Sequence, residues 1–387
     1  MTRLRYLTAG ESHGLQLTAI LEGCPAGVAV AAEHIDTDLQ RRQHGYGRGG
    51  RMAIERDRAQ VLGGVRYGRT TGAPIALAIA NRDAGNWGAT LAVEPPPSDD
   101  ERAAPVRVPR PGHADLGGAL LYDLDDVRDV IERASARETA ARVACGAVAK
   151  RILAHVGCQV VSHVVAIGGI HSAVPFNIND RTTVEADPVR CADAEASARM
   201  CAAIDAAAAA GDTLGGIVEI LAIGYPPGVG SFAHGDRRLQ SALAAAVLTI
   251  PAIKGVEFGL GFAVADRPGS AVHDPLGYAD DSYSRGGNNA GGIEGGISTG
   301  EPIVLRAAMK PIATLRSPLP SVELGTHRFV ESRFERSDVC AVPAAGVVAE
   351  AVVALALADA LLDRFGGATG ADLTDAVAAF RRRCAAR

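Results

Sequence analysis

RPGHADLGGALLYDLDDVRDVIERASARET, residues 110–139, is the stretch from which the rest of the chain can be organised. Its first half holds a histidine in a turn. Pro111 presets φ, Gly112 lets the backbone come close, and Asp115 follows His113 within two residues. Its second half, Arg133-Ala-Ser-Ala-Arg137-Glu-Thr139, runs into an alanine-rich helical pattern that predicts one helix over 131–156. Arginines and hydroxyls at a helix start suit an anion, because unpaired N–H groups and the helix dipole point the same way. A titratable histidine beside an anion cradle implies acid–base chemistry on a phosphorylated or carboxylated molecule. A histidine in a turn and a capped helix would account for the same residues.

Composition narrows the class. The chain has 387 residues, 48% of them hydrophobic and 4% aromatic, which implies a globular protein with a large core of small aliphatic side chains. A net charge of −5 gives no nucleic-acid footprint. Only Lys150, Lys254 and Lys310 are lysines; every other basic side chain of this kind is arginine. The seven cysteines form no C-x-x-C pair and sit mostly in apolar stretches. They imply buried, reduced thiols in a cytoplasmic protein, with no metal site. The N-terminal MTRLRYLTAGESHG has no apolar core of a secretory signal. The longest apolar run, 347–362, is interrupted by Glu350 and Asp359 and reads as a buried helix, not a membrane span.

Working outward, strands are expected at 3–9, 15–22, 61–67, 74–80, 160–168, 216–223, 256–263 and 302–309. Helices are expected at 33–42, 131–156, 193–210, 236–249, 342–365 and 372–383. Strands neighbour one another without a strict βα rhythm. The fold class is therefore α+β, with helices of small residues on antiparallel sheets and one large domain over 1–387.

Two familiar patterns fail on context. Gly45-x-Gly47-x-x-Gly50 spells a dinucleotide fingerprint, but it follows a helical pattern and opens no helix. What remains is a loop with Arg41, Arg42, Arg48 and Arg51 that could close over an anion. Gly10-x-Ser12-x-Gly14 spells a nucleophile elbow, but a strand rather than a helix follows it. His13 in that turn is the better chemical candidate, as a proton donor. Residues 285–300 carry seven glycines in sixteen positions, a backbone able to approach a ligand. Lys310 to Thr314 offers a point charge and a hydroxyl beside the next strand. Asp338 precedes an apolar helix, where a carboxylate is either a cap or a base.

Taken together, Gly10-Glu-Ser-His-Gly14, Arg110-Pro-Gly-His-Ala-Asp115, Arg133 to Thr139, Ala290 to Ser298, Lys310-Pro-Ile and Arg336 to Ala344 resemble the chorismate synthase family, in the family's order and across nearly the whole chain. The resemblance implies a β-α-β sandwich, with central helices between antiparallel sheets, assembled as a homotetramer. It implies a lyase that turns 5-enolpyruvylshikimate 3-phosphate into chorismate and phosphate by anti-1,4-elimination. That reaction needs a flavin of the FMN/FAD class, namely reduced FMN, without net redox change. By motif position His13 would protonate the departing phosphate. His113 would hold the flavin in its protonation state, and Asp338 would assist proton removal with flavin N5. Arg42 and Arg48 would face NADPH. Flavin contacts would fall at Arg133, Ala134, Ser135, Pro251, Ala252, Gly295, Lys310, Pro311, Ile312, Ala313, Thr314 and Arg336. The flavin would be reduced by NADPH on the enzyme or by an external flavin reductase. The readings weighed against this one are a hydride-transferring flavin oxidoreductase and a non-catalytic anion binder.

Overall fold

Two antiparallel sheets and a set of helices rich in small residues build the molecule, described here by a computed structural model over residues 3–50, 55–98, 102–279, 282–335 and 337–386. The first sheet contains β1 (Arg5–Ala9), β2 (Gln16–Glu22), β3 (Ala59–Gly63) and β4 (Ile75–Ala80), in the order β1-β2-β4-β3. The second contains β5 (Gln159–Ile167), β6 (Ile170–His171), β7 (Gly216–Ile223), β8 (Ile253–Phe258) and β9 (Ile303–Met309), in the order β8-β9-β7-β5-β6. Register decides which face is apolar. Leu17 pairs with Ile79, Ala19 with Leu77 and Leu21 with Ile75, so the buried side chains of β2 and β4 share one face.

The helices are α1 (Ala32–Gln43), α2 (Asp115–Tyr122), α3 (Arg128–Ala134), α4 (Thr139–Ala154), α5 (Arg181–Ala186), α6 (Ala194–Ala210), α7 (Leu239–Leu248), α8 (Val342–Phe365) and α9 (Gly370–Ala385). Helix α4 packs on β2 and β4 of the first sheet, α8 packs on β5 and β7 of the second, and the two helices pack on each other. Small residues let them approach closely. A Cβ on Gly146 of α4 would lie 2.3 Å from the Cβ of Ala351 on α8. Helix α8 is long and apolar enough to cross a membrane, yet 83% of its most apolar window is buried inside the protein, as expected of a core helix. Its one buried acid, Glu350, is met by Arg41, Lys150, Arg190 and the Ser162 hydroxyl. Burial opposes its charge, but the surrounding cations hold its carboxyl well below the usual range.

Several expected elements change. The helix expected over 131–156 is two helices. Ser135 between them is extended, at φ −62° and ψ 142°, and a short 3₁₀ turn, Ala136–Glu138, follows. The Ser135 hydroxyl accepts the Arg137 N–H and lies 3.0 Å from the Ser12 hydroxyl, so a side chain competes with the helix backbone and wins. The strand expected over 61–67 ends at Gly63, before the positive-φ Gly64. The strand expected over 256–263 gives way after Phe258 to a 3₁₀ turn. Arg41 and Arg42 are not part of a basic loop: both lie on α1, Arg42 buried and Arg41 half-buried on Glu185 and Glu350, and Arg51 lies outside the described residues.

Candidate active site

His13 stands in the turn between β1 and β2. Asn81 clamps that turn from the end of β4, its amide donating to the carbonyl oxygens of Glu11 and Gly14. The imidazole Nδ1 is 3.0 Å from both carboxylate oxygens of Glu132 on α3, and the His13 backbone N–H donates to the same carboxylate at 2.9 Å. The ring stacks on Trp87 with centroids 4.0 Å apart. Glu132 is fully buried. Burial pushes its carboxyl up, but the bonds from His13 and the charge of Arg128 outweigh that and leave it below the usual range. It is thus a carboxylate at neutral pH and accepts a hydrogen bond from Nδ1–H, which makes Nε2 the nitrogen that exchanges protons with a ligand.

His113 is held differently. Its Nδ1 bonds to Asp115 in the first turn of α2 and lies 3.1 Å from Arg110 Nη2. Arg110 grips the other side of Asp115 through Nε at 2.8 Å and reaches the Thr314 hydroxyl through Nη1 at 3.1 Å. Burial raises the Asp115 carboxyl, but His113 and Arg110 together bring it far below the usual range. Lys310 donates to the Gly112 carbonyl, and Ala313 lies beside Gly112, so the 310–314 segment closes on the His113 turn. The Lys310 ammonium is pushed down by burial and then by Lys254.

Asp338 does not cap α8. That helix starts at Val342, after Ala341, with no side-chain cap. The carboxylate instead accepts from Arg48 at 2.7 Å and from the Gly49 N–H at 2.6 Å, while the Gly47 carbonyl accepts the Val339 N–H. The loop 44–50 is therefore pinned to the chain before α8. The same chain joins the histidine clusters. Glu335 lies 3.8 Å from Arg128, whose guanidinium also lies 3.7 Å from Glu132, and the Ser337 hydroxyl donates to the Thr314 carbonyl.

The other expected residues divide. Arg133 is exposed at the end of α3 and donates to the Thr8 and Gly10 carbonyls. Ala134 ends that helix and Ser135 caps the next turn. Arg42 is buried, with Nε on the Thr139 hydroxyl and Nη2 on the Ala136 carbonyl. Burial pushes its guanidinium down to about 10. Ala252, after Pro251, has a left-handed backbone at φ 70° and accepts the Lys310 N–H. The Ile312 carbonyl accepts from Thr213, and Pro311 packs beside Gly215. Gly295 stands apart from these contacts, at the turn of the hairpin Ile293–Glu294/Ile297–Ser298. Arg336 lies outside the described residues. Sequence reasoning missed Glu132, Trp87 and Arg128. Their one available signal was proximity to motifs, since Glu132 lies within the helix that ends at Ala134, beside Arg133.

Two histidines on buried carboxylates, with arginine and lysine around them, define an acid–base enzyme for an anionic small molecule. The family model described as chorismate synthase matches residues 4–362. The chorismate synthase of Geobacillus thermodenitrificans (strain NG80-2) is 54% identical over 367 residues, covering 94% of this chain and 95% of the relative. That of Thermobifida fusca (strain YX) is 52% identical over 374 residues, with the same shares covered. A solved structure described as "Crystal Structure of Chorismate Synthase" superposes with a TM-score of 0.79 at 38% identity, covering 100% of both chains. The chain belongs to the chorismate synthase family.

Proposed function

We propose that this protein is the lyase (EC 4.2.3.5) of the last shikimate-pathway step. It eliminates phosphate from 5-enolpyruvylshikimate 3-phosphate in the anti-1,4 sense and leaves chorismate. The observation that carries the reading is the pair of histidines, each on an ionised buried carboxylate, with Lys310 and Thr314 bonded into the His113 cluster and the 335–338 segment, which carries Asp338, running from Arg128 beside Glu132 to the Thr314 carbonyl. In this reading His13, with Nδ1 occupied by Glu132, delivers its proton from Nε2 to the departing phosphate. Asp338, oriented by Arg48 and the Gly49 N–H, faces the proton lost from the ring. Arginine and lysine suit a substrate with one phosphate and two carboxylates.

The donor set also fits reduced FMN. Lys310 and the exposed Arg133 offer positive charge, Ala252 turns its backbone into a left-handed conformation beside Lys310, and the Nη1 atoms of Arg42 and Arg128 are buried with no hydrogen-bond partner among the described residues. When bound, reduced FMN supplies the electron-rich partner that allylic C–O cleavage needs and no side chain offers. Arg133 to Ser135, Pro251 and Ala252, Gly295, Lys310 to Thr314 and Arg336 would hold it, with His113 as the proton-bearing neighbour. Arg48 is placed to meet NADPH. Arg42 would act from behind, through Thr139. NADPH or an external flavin reductase supplies the reducing equivalents. The same reading makes the layers a β-α-β sandwich in one domain over 1–387, the assembly a homotetramer and the compartment the cytoplasm.

Anaerobic turnover with chemically reduced FMN tests this. Chorismate and phosphate should appear in equal amounts, and neither with oxidised FMN. Folded protein that forms no chorismate under these conditions would overturn the proposal.

A further inference from the structure

We propose that Trp87, the only tryptophan in the chain, is a positioning residue for His13: it holds the imidazole parallel to its own ring and favours the protonated form that the proton transfer uses. The role given to that proton rests on the reading above.

The geometry is that of a stack. The two ring centroids are 4.0 Å apart and the planes differ by 21°. An imidazolium in that position lies over the negative face of the indole, which a neutral imidazole exploits far less. The indole is itself held. Its Nε1 donates to Asp83 at 3.3 Å, its backbone N–H donates to the Ala84 carbonyl at 3.0 Å, and Asp83 is steadied by the Asn86 amide at 2.7 Å. The segment 81–87 thus grips the His13 turn twice, through Asn81 on the carbonyls of Glu11 and Gly14 and through Trp87 on the ring.

Among the described residues, charges face the pair from α3, from Glu335, from Asp83 and from Glu11. Glu132 on α3 bonds Nδ1 and favours the imidazolium. Arg128, also on α3, lies 5.3 Å from the indole centroid and opposes it. Arg128 is in turn offset by Glu132 at 3.7 Å and by Glu335 at 3.8 Å. Asp83 lies at the indole nitrogen, and Glu11 lies in the turn itself, its carboxylate against Gly14. The buried carboxylate on Nδ1 and the aromatic face on the ring both favour the proton. Arg128 stands on the indole, with Glu132 and Glu335 beside it.

Because the chain has one tryptophan, its emission reports this stack alone. A protonated imidazole in contact quenches indole emission by accepting an electron, so emission should rise with pH along one titration. That titration should vanish in His13→Asn. It should also share its midpoint with the alkaline fall of kcat, since a proton donor fails as it loses its proton. His13 can be followed independently by the C2-proton NMR signal that disappears in His13→Asn. In Trp87→Leu that midpoint and the kcat limb should both move down by about half to one pH unit, the size of a cation–π contact at a partly exposed site. Trp87→Phe, which keeps an aromatic face, should restore most of the shift. Emission that does not titrate, or a Trp87→Leu midpoint that stays in place, would overturn the proposal. A titration that behaves as described in protein that makes no chorismate would leave the positioning role standing and remove the proposed reaction.

Discussion

His13 and His113 both rest Nδ1 on a buried carboxylate, but the two sites are assembled in opposite ways. Asp115 lies two residues from His113, and Arg110, three residues away, closes a clamp that is local in sequence. Glu132 lies 119 residues from His13, and the stacking ring comes from a third segment. The His113 carboxylate has a bidentate guanidinium as its second partner. Among the described residues the His13 carboxylate has Arg128 at 3.7 Å in place of such a clamp. The first arrangement fixes a ring and its charge environment. The second leaves the imidazole as the side chain hydrogen-bonded to its carboxylate, as a group that exchanges a proton must be.

The sharpest way to break this comparison is to remove each ring. His13→Ala should lower kcat about 10²–10⁴-fold, the usual contribution of a positioned proton donor, and leave reduced FMN affinity in place. His113→Ala should weaken reduced FMN binding as well as turnover. Flavin titration beside single-turnover kinetics separates them, and a shared phenotype would erase the distinction.

Next in size is the Asp115 clamp. Asp115→Asn strands Arg110 in the interior, so it should cost about 3–5 kcal/mol in urea unfolding, the penalty for breaking a buried pair on one side. The same carboxyl gives a pH signature. Its native pKa is depressed, so its stabilisation is present above the ordinary carboxylate range and is lost as pH falls through the native value. Below about pH 4 the wild-type protein should lose stability more steeply than Asp115→Asn. Glu132→Gln acts on the other histidine. It removes the nearest anion, so the alkaline limb of kcat should move down by about one pH unit or more, with reduced FMN affinity retained.

The same contrast explains what could be read from the sequence. Helix α8 was legible to the residue because it is apolar on nearly every side, and the His113 turn, though not the clamp on it, because Pro111, Gly112 and Asp115 surround the histidine in the chain. Glu132 was not. In Arg128 to Ala134 it has the spacing of an ordinary helical surface acid, and only the return of the β1–β2 turn, fixed by Asn81, makes it a partner. The break at Ser135 was hidden for the same reason, since Ser12 lies across it. Arginine identity was legible but arginine role was not. Arg42 is buried on Thr139 and Arg133 is exposed on backbone carbonyls, a difference made by α4 packing rather than by local pattern.

The smallest effect tests how the His113 clamp is tied to its surroundings. The Thr314 hydroxyl is buried and takes the Arg110 Nη1 proton at 3.1 Å, beside the Ser337 hydroxyl on the Thr314 carbonyl. Thr314→Ala leaves that donor without its acceptor and should cost about 1 kcal/mol or slightly more, because the lost bond involves a charged group. Thr314→Ser keeps the hydroxyl and should recover most of it. The loss should appear also as weaker reduced FMN binding, since Arg110 holds Asp115 and Asp115 holds His113. It should leave the alkaline limb of kcat where it was, because no contact in that chain touches Glu132 or Trp87. A shift of that limb in Thr314→Ala would show that the two histidines titrate as one unit and that their separate construction does not separate their protons.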